Sequence, residues 1–271
     1  MSSPWRLILD GKGDGYYNMA LDEAILLNYF YSRIPTLRIY GWDKLFISIG
    51  YNQEPHNVLT FNRDVPFVRR ITGGAAILHD KELTYSMICS SQDLNLKSNV
   101  KESYKILCSF LLNFYHSQGL IAKFAKEVNS PYLGRYENFC FSSCEPFDLL
   151  IENKKIGGNA QRRKKDLIFQ QGSIPQTLNF KMIRLLIKNT DNLEAKETSL
   201  DSLLEKPTDF FKLNIALADE FSKTFGITCR KARISTREAT LVNELLKDKY
   251  RTSAWNFHKR AKITEREKDY V

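Results

Sequence analysis

Residues 69–85 read RRITGGAAILHDKELTY, and this stretch decides how the rest of the chain is interpreted. Its pattern is that of a strand, a sharp turn at Gly73-Gly74 and a second strand, because glycine pairs mark turns and β-branched residues favour strands. A hairpin needs the glycines, but it does not need two arginines before them or His79 after them. These extra polar groups around a bare turn raise the question of a binding site.

The glycine turn allows two interpretations. Gly73 and Gly74 leave backbone N–H groups exposed without a Cβ, and such a turn can cradle a carbonyl or carboxylate oxygen. Arg69 or Arg70 would then add positive charge. The alternative is a plain β-turn with one arginine solvated on each face and His79 as a structural hydrogen-bonding residue. Spacing alone favours this plainer alternative.

The surrounding segments predict an α+β domain with a mixed or antiparallel sheet. Residues 35–42, 45–51, 65–71, 83–90 and 166–174 predict strands, and residues 147–160 predict a hairpin with Asn153 at its turn. Helices are expected from Asn18, as the cap, to about Tyr31, from Lys101 to Gln118, and from a Thr208 cap to Gly226. Strands and helices do not alternate strictly, which argues against a doubly wound sheet.

Composition indicates a folded domain and an acidic partner. The 271 residues are 43% apolar and 26% charged, and the net charge is +9. That charge favours nucleic acid, acidic protein or anionic membrane as a partner without separating them. The five cysteines lack paired metal spacings, so no metal site and a reduced cytoplasmic location are expected. We find no signal-peptide pattern at the start and no apolar window long enough to span a bilayer.

A second polar segment runs from residue 154 to residue 165 and carries six basic residues without an acid. A solvated basic surface and a phosphate-binding patch are both consistent with it. Residues 157–160, however, are small and neutral, so backbone or a substrate can approach Lys155 closely. A lysine beside such a gap can point inward at an acyl oxygen or a phosphate.

A third segment contains Cys140 between two phenylalanines, and Cys144 four positions later. Buried structural thiols are the usual explanation, and no Cys or His spacing completes a metal site. A nucleophilic cysteine would need a neighbouring cation to lower its pKa, and Lys155 is a candidate if the hairpin folds back.

These segments together resemble the biotinyl/lipoyl ligase and octanoyltransferase superfamily, and within it the octanoyltransferases of the LipM type. In chain order the matching motifs are Arg-Arg-x-Thr-Gly-Gly, His-Asp, Glu-Leu-Thr-Tyr-Ser, Cys-Phe, Lys-Ile-x-Gly-Asn-Ala-Gln-x-Arg and Gln-x-Gly-Ser-Ile. They occupy residues 69–74, 79–80, 82–86, 140–141, 155–163 and 170–174. Several ordered motifs at compatible spacing are more specific than any single one.

The resemblance implies a catalytic domain over residues 1–230, a helical C-terminal extension over residues 231–271, and an acyl slot between the glycine turn and the lysine strand. It implies that Cys140 takes an octanoyl group from octanoyl-acyl carrier protein as a thioester and passes it to a lysine of a lipoyl-domain protein, such as the glycine cleavage H protein or a 2-oxoacid dehydrogenase E2. Lys155 would stabilise the oxyanion, and no cofactor would be required. The other residues expected to bind the acyl group are Arg69, Arg70, Thr72, Gly73, Gly74, Ala75, His79, Gly157, Gly158, Asn159 and Ala160.

Two positions depart from the family pattern. Ala75 stands where ligases usually have glycine, which reduces the backbone freedom of the turn. Gln171 stands where many members have histidine, and its amide forms hydrogen bonds but does not titrate. We therefore assign Gln171 no acid–base role.

The nearest alternative is an ATP-dependent lipoate–protein ligase, which would use ATP and magnesium. Such ligases typically carry Gly-Arg-Asn-Asp before the lysine hairpin, whereas residues 134–141 here read GRYENFCF. They also commonly need an accessory domain, for which residues 231–271 are few. A nucleic-acid-binding module would leave the glycine turn, His79 and Cys140 unexplained. We therefore expect an acyltransferase with neither a nucleic-acid nor a membrane partner.

Overall fold

The computed structural model describes residues 4–96, 100–128, 145–190 and 192–261. The strands within these ranges are β1 Trp5–Gly13, β2 Thr36–Trp42, β3 Phe46–Ile49, β4 Phe67–Arg69, β5 Ile77–His79, β6 Glu82–Ser90, β7 Lys123–Phe124, β8 Leu149–Ile151, β9 Lys154–Lys155, β10 Gly158–Lys164, β11 Leu167–Pro175 and β12 Cys229–Lys231. The helices are α1 Gly15–Ser32, α2 Pro55–Val58, α3 Val100–Ser117, α4 Phe180–Leu186, α5 Leu193–Lys196, α6 Leu200–Leu204, α7 Phe210–Phe225, α8 Thr236–Leu245 and α9 Ser253–His258. A π-helical turn, Leu246–Tyr250, continues α8.

The largest sheet is mixed, with the strand order β10-β11-β6-β2-β1-β12. β1 runs parallel to β2 and β12, whereas β2, β6, β11 and β10 pair antiparallel in turn. Two smaller sheets have the orders β4-β3-β5 and β7-β8-β9. This architecture confirms the predicted α+β class with a mixed sheet.

The two faces of the largest sheet bury separate cores. Successive side chains along a strand point to opposite faces. Leu37 and Tyr85 accordingly pack in one core with α3 and α7, and Ile88 and Phe169 pack in the other with α1 and α8. A third core lies between the β4-β3-β5 sheet and α4. None of the helices among the described residues has the length and hydrophobicity needed to cross a bilayer.

Residues 69–85 form a strand, a turn and a strand, but they are not a hairpin. β4 and β5 lie on opposite sides of β3, parallel and antiparallel to it respectively. The glycine turn therefore crosses over the end of β3. Gly50 makes this crossing possible, because a Cβ at that position would overlap the carbonyl oxygen of Gly74. Gly74, in this turn, is exposed to solvent.

Local sequence signals located most elements, and two predicted helix caps were wrong. α1 begins at Gly15, because the side chain of Asp14 accepts the backbone N–H groups of the first turn. Asn18 lies inside this helix and donates to the carbonyls of Gly13 and Gly41. The cap of α7 is Asp209, since the hydroxyl of Thr208 donates to Asp201 instead. The hairpin turn at Asn153 is confirmed, with φ of 63°.

The end of the described chain packs onto its beginning. The expected boundary after residue 230 falls inside β12, which pairs with β1. Glu238 of α8 is fully buried and accepts both terminal nitrogens of Arg6 from β1, as well as the amide of Asn28 from α1. It also accepts the backbone N–H of Ser235 in a capping box. This carboxylate therefore joins three elements.

We expect Glu238→Gln to lower the free energy of unfolding at pH 7 by roughly 3 kcal/mol, because Arg6 loses its anionic partner. Burial alone would raise the pKa of Glu238, but hydrogen bonds from Arg6 and Ser235 outweigh it and hold the pKa below its ordinary value. A carboxyl with a lowered pKa stabilises the fold above its unfolded pKa of about 4.3 and loses that contribution as the pH falls through the folded-state pKa. In urea unfolding, the difference between wild type and variant should be full at pH 7 and shrink below about pH 4. An equal difference at pH 7 and pH 3 would contradict this prediction.

Candidate active site

Arg70 fixes the glycine turn through hydrogen bonds to the backbone carbonyls of the turn. Its Nη2 donates to the carbonyls of Gly73 and Ala75, each at 2.8 Å, and its Nη1 donates to Ser48. Gly74, between these two carbonyls, has φ of +86°, a conformation that glycine adopts without strain. Arg70 is 4% exposed, so the solvated arginine of the plain-turn interpretation is wrong at this position.

Arg69 is fully buried and points away from the turn. Its guanidinium donates to the carbonyls of Tyr51 and Gln53 on one side and to those of Trp255 and Asn256 on the other. Burial lowers its pKa. Arg69 was predicted to bind the acyl group, but the structure places it between the loop after β3 and α9, where its hydrogen bonds join the end of the described chain to the small sheet.

His79 forms part of a rigid wall next to the turn. Its Nδ1 lies 2.8 Å from Glu82 Oε1, and its Nε2 lies 2.7 Å from Ser48 Oγ. The imidazole stacks on Trp42 with ring centroids 3.6 Å apart. Both ring nitrogens therefore have partners, which is the structural role that spacing alone favoured for this residue.

Asp22 forms the hub of a buried polar network that the sequence did not reveal. It is 1% exposed and lies on α1 above the sheet. Its Oδ1 accepts from Arg38 Nη1 at 2.8 Å and Ser86 Oγ at 2.7 Å. Its Oδ2 accepts from Tyr40 at 2.8 Å and Gln171 Nε2 at 2.6 Å.

This network extends to the glycine turn through Gln171. The amide of Gln171 donates to Asp22, and its Oε1 accepts the hydroxyl of Thr72 at 3.1 Å. Burial, and then the charge of Asp22, raise the pKa of Tyr40 well above its ordinary value, so its phenol remains a donor. The position that differs from the family pattern thus links the hub on α1 to the turn, as a hydrogen-bonding group and not as an acid.

A cleft lies between the glycine turn and the strand that follows Lys155. Its apolar surface comes from Met19, Trp42, Ile77 and Ala160, and bare backbone borders it at Gly74 and Gly158. The glycine turn and the Gly157–Ala160 segment therefore meet at one cleft.

The segment after Lys155 is held closely against β11. A Cβ at Gly157 would lie 2.6 Å from the carbonyl oxygen of Ser173, so only glycine fits there. Asn159 is fixed by two tyrosines: its Oδ1 accepts from Tyr85 and its carbonyl from Tyr104. The small residues that the sequence singled out thus permit close packing at the edge of the cleft.

Lys155 itself is 4% exposed, and its Nζ lies 2.6 Å from Asp148 Oδ2. Asp148 immediately precedes β8 and belongs to none of the sequence motifs named above. Its Oδ2 also accepts the backbone N–H of Glu145, the first described residue after position 128. Lys155 thus points inward, as its small neighbours indicated, but toward this carboxylate, and it is not among the residues that line the cleft.

The cysteine thiols within the described residues, those of Cys89, Cys108 and Cys229, are poor nucleophiles. Burial, and then the charge of Asp148, raise the pKa of Cys108 to about 12. Burial is also the main reason that the pKa values of Cys89 and Cys229 are raised. Cys140, the predicted nucleophile, and Cys144 lie outside the described residues. Within the described ranges, no group of three or more His, Cys, Asp or Glu side chains is arranged to hold a metal ion.

Part of the basic segment has contacts within the protein. Arg162 donates to the carbonyl of Ile71 beside the glycine turn, and Arg163 donates to the hydroxyl of Ser103 on α3. Burial lowers the pKa of Arg163. A purely solvated basic surface therefore does not describe these two arginines.

Residues 14–222 match the lipoyl protein ligase A/B catalytic domain. The chain belongs to this family. It is similar to octanoyltransferase LipM of Halalkalibacterium halodurans, with 33% identity across 94% of this chain and 99% of the relative. It is also similar to octanoyltransferase LipM of Staphylococcus epidermidis, with 34% identity across 96% of this chain and 100% of the relative.

A solved structure shows the same fold. It is a bi-partite lipoate protein ligase with its E2 lipoyl domain from Thermoplasma acidophilum, and it matches with a TM-score of 0.78 and 23% identity. The alignment covers 96% of this chain and 99% of the archaeal chain. The resemblance to LipM-type members of the lipoyl protein ligase A/B family that the motifs indicated is thus confirmed.

Proposed function

We propose that this protein is an acyltransferase that moves an octanoyl group from octanoyl-acyl carrier protein, through a Cys140 thioester, to a lysine of a lipoyl domain. The cleft is the observation that carries the proposal. It joins apolar surface to a glycine turn and to the strand after Lys155, which suits an apolar acyl chain with one polar end. The near-full-length relatives named as octanoyltransferases support the same reaction.

The reaction comprises two acyl exchanges without oxidation or reduction. The Cys140 thiolate attacks the thioester carbonyl, a new C–S bond forms, and the carrier leaves as a thiolate that takes up a proton. The neutral amine of the acceptor lysine then attacks the Cys140 thioester, a C–N bond forms, the amine loses a proton and the Cys140 sulfur leaves. The Lys155 ammonium stabilises the oxyanion formed in each exchange.

The cysteine chemistry supports Cys140 as the nucleophile. A nucleophilic cysteine needs a lowered pKa, and the pKa values of Cys89, Cys108 and Cys229 are all raised. Of the five cysteines of the chain, this leaves Cys140 and Cys144. The family motif Cys-Phe falls on Cys140, and we therefore assign the thioester to that residue.

Charge and the family support the proposed partners. The net charge of +9 suits docking of an acidic acyl carrier protein and an acidic lipoyl domain, because opposite charges steer the encounter. The archaeal family member was solved with its E2 lipoyl domain. We propose the glycine cleavage H protein or a 2-oxoacid dehydrogenase E2 as the acceptor, with neither a cofactor nor nucleic acid.

Intact-mass measurement after incubation with octanoyl-acyl carrier protein, without ATP, tests the function. We expect one octanoyl adduct that hydroxylamine removes, because thioesters are labile to it and amides are not. The adduct should be absent in Cys140→Ala and present in Cys108→Ala, whose thiol is buried with a raised pKa. An adduct that persists in Cys140→Ala would refute the assignment.

An ATP-dependent lipoate–protein ligase is the second candidate, and the fold shared with the archaeal ligase favours it. It predicts a different result in the same experiment. A ligase would form no adduct with octanoyl-acyl carrier protein and would modify a lipoyl domain only when lipoate, ATP and magnesium are supplied. The lipoyl-domain mass with and without ATP therefore separates the two reactions.

A further inference from the structure

Ser173 carries a buried hydroxyl that no described residue satisfies. The side chain is 3% exposed, and its Oγ has no hydrogen-bond partner. Ser173 lies in β11 and lines the cleft. Folded proteins rarely leave a buried hydroxyl unpaired. Such a group loses its hydrogen bonds to water on burial, and this loss costs free energy unless a new partner replaces them. A ligand in the cleft is the natural partner for this group.

The neighbouring polar groups are already committed to other contacts. Ser173 lies opposite Thr84 on β6 and opposite Gly158 on β10. The Thr84 hydroxyl donates to Glu82 and accepts from Trp42. Both of these residues contact the His79 imidazole. The other cleft hydroxyls are also paired, that of Tyr40 with Asp22 and that of Ser48 with His79. Within the described residues, Ser173 is the hydroxyl on the cleft that remains available.

The position of this hydroxyl agrees with the chemistry of an acyl group. An octanoyl chain is apolar apart from one carbonyl oxygen, and the other hydroxyls that line the cleft are already paired, which leaves the Ser173 hydroxyl. Gly158, opposite Ser173, follows Lys155 by three positions and lines the cleft. Lys155 itself is not among the residues that line the cleft. Under the proposed function, the acyl carbonyl lies at this side of the cleft, beside the strand that follows Lys155.

We propose that Ser173 Oγ donates a hydrogen bond to the acyl carbonyl oxygen and fixes the depth at which the octanoyl group binds. This inference rests on the proposed function and adds a substrate-contacting residue to it. No covalent bond to Ser173 forms or breaks in either acyl exchange. The hydrogen bond strengthens as the thiolate attacks, because the carbonyl oxygen then gains negative charge.

The test is Ser173→Ala, measured by both loading rate and thermal unfolding. We expect kcat for loading from octanoyl-acyl carrier protein to fall about 10- to 100-fold, since one donor to the oxyanion is lost. We expect Tm to stay the same or rise, because no protein hydrogen bond is lost.

Ser90→Ala is the matched control. Ser90 is also a buried serine of the main sheet, but its hydroxyl donates to Asp93 at 2.9 Å. It should show the opposite result, a lower Tm with an unchanged loading rate. If Ser173→Ala lowered Tm and left the loading rate unchanged, the hydroxyl would be structural and the inference would be overturned.

A pair of small probes distinguishes the carbonyl from the chain. The octanoyl thioester of N-acetylcysteamine has the carbonyl, and the matching octyl thioether has a methylene in its place. Ser173→Ala should weaken binding of the thioester and not of the thioether. Equal weakening of both would overturn the inference. A wild-type protein that forms no octanoyl adduct would instead refute the proposed function, so the two failures are distinguishable.

Discussion

Lys155→Met is expected to abolish octanoyl loading and to lower the free energy of unfolding by about 3–5 kcal/mol. The Lys155 ammonium lies 2.6 Å from the Asp148 carboxylate, and both side chains are 4% exposed. Removing the ammonium leaves that carboxylate buried without its cation, which costs far more than the loss of a surface ion pair. Loading should fall by at least about 100-fold, because the oxyanion loses its charged partner. Urea unfolding and intact-mass loading kinetics measure the two effects.

A double variant separates these two effects. Replacing a buried ion pair with apolar residues of similar volume is often neutral for stability. Asp148→Leu combined with Lys155→Met should therefore recover most of the stability and none of the loading. The recovery should fall short by about 1 kcal/mol, since the Glu145 N–H also loses its acceptor. Loading at the wild-type rate by the double variant would exclude Lys155 from the mechanism.

An exposed pair provides the control for charge removal as such. Lys105 lies 3.3 Å from Glu127, and these side chains are 45% and 41% exposed. Lys105→Met should change the free energy of unfolding by less than about 1 kcal/mol and leave loading unchanged. A large effect at Lys105 would mean that the loss at Lys155 reports general charge and not the buried pair.

The elements of the fold were predictable because their signals are local, whereas their arrangement was not. Alternation of apolar residues located β2, β3, β4, β6 and β11, though not β1, β7 or β12. The αL-tolerant Asn153 located a hairpin turn that the structure confirms. The pairing of β4 and β5 with β3, and not with each other, depends on contacts that no spacing encodes. Gly50 illustrates this. Glycine is required at this position because the Gly73-Gly74 turn crosses close to it, and a Cβ at Gly50 would overlap the carbonyl oxygen of Gly74.

The site was predictable where short motifs mark it, and was missed where its parts come from distant segments. Gly74, His79 and the Gly158–Ala160 segment all border the cleft, as the motifs implied. Asp22 lies on a helix far from those motifs in the chain. The one sequence signal for Asp22 is a carboxylate among apolar residues of α1. An acid at the solvent-exposed face of a helix produces the same pattern, so this signal does not identify a buried polar network. The partners of Asp22 became visible only once the sheet was assembled.

Asp22→Asn should lower the free energy of unfolding by about 3 kcal/mol and loading by about tenfold, because an amide cannot replace this carboxylate. The carboxylate accepts four hydrogen bonds, two at each oxygen. An asparagine side chain keeps one oxygen, and its NH₂ group must face donors. Its oxygen should stay with Arg38, which is fully buried and charged. The NH₂ group then turns toward Tyr40 and Gln171, and Gln171 must rotate away from the cleft wall.

Gln171→Glu supplies the matched second variant. On its own it should be severely destabilising, because it places a second buried carboxylate against Asp22, where Gln171 Nε2 now lies 2.6 Å from Oδ2. Combined with Asp22→Asn, it restores one donor and one acceptor at that contact, and the other oxygen of the introduced carboxylate still accepts from Thr72. The double variant should therefore be more stable than either single variant and should load faster than Asp22→Asn.

Thermal unfolding and loading kinetics of the four proteins in this cycle give the coupling between the two positions. We expect a favourable coupling of about 2 kcal/mol or more, since the residues are in direct contact. Additive effects would show that Asp22 acts on stability through its other three partners and does not position Gln171. In that case the loading defect of Asp22→Asn should persist unchanged in the double variant, because the cleft wall would not depend on the hydrogen bond between the two side chains.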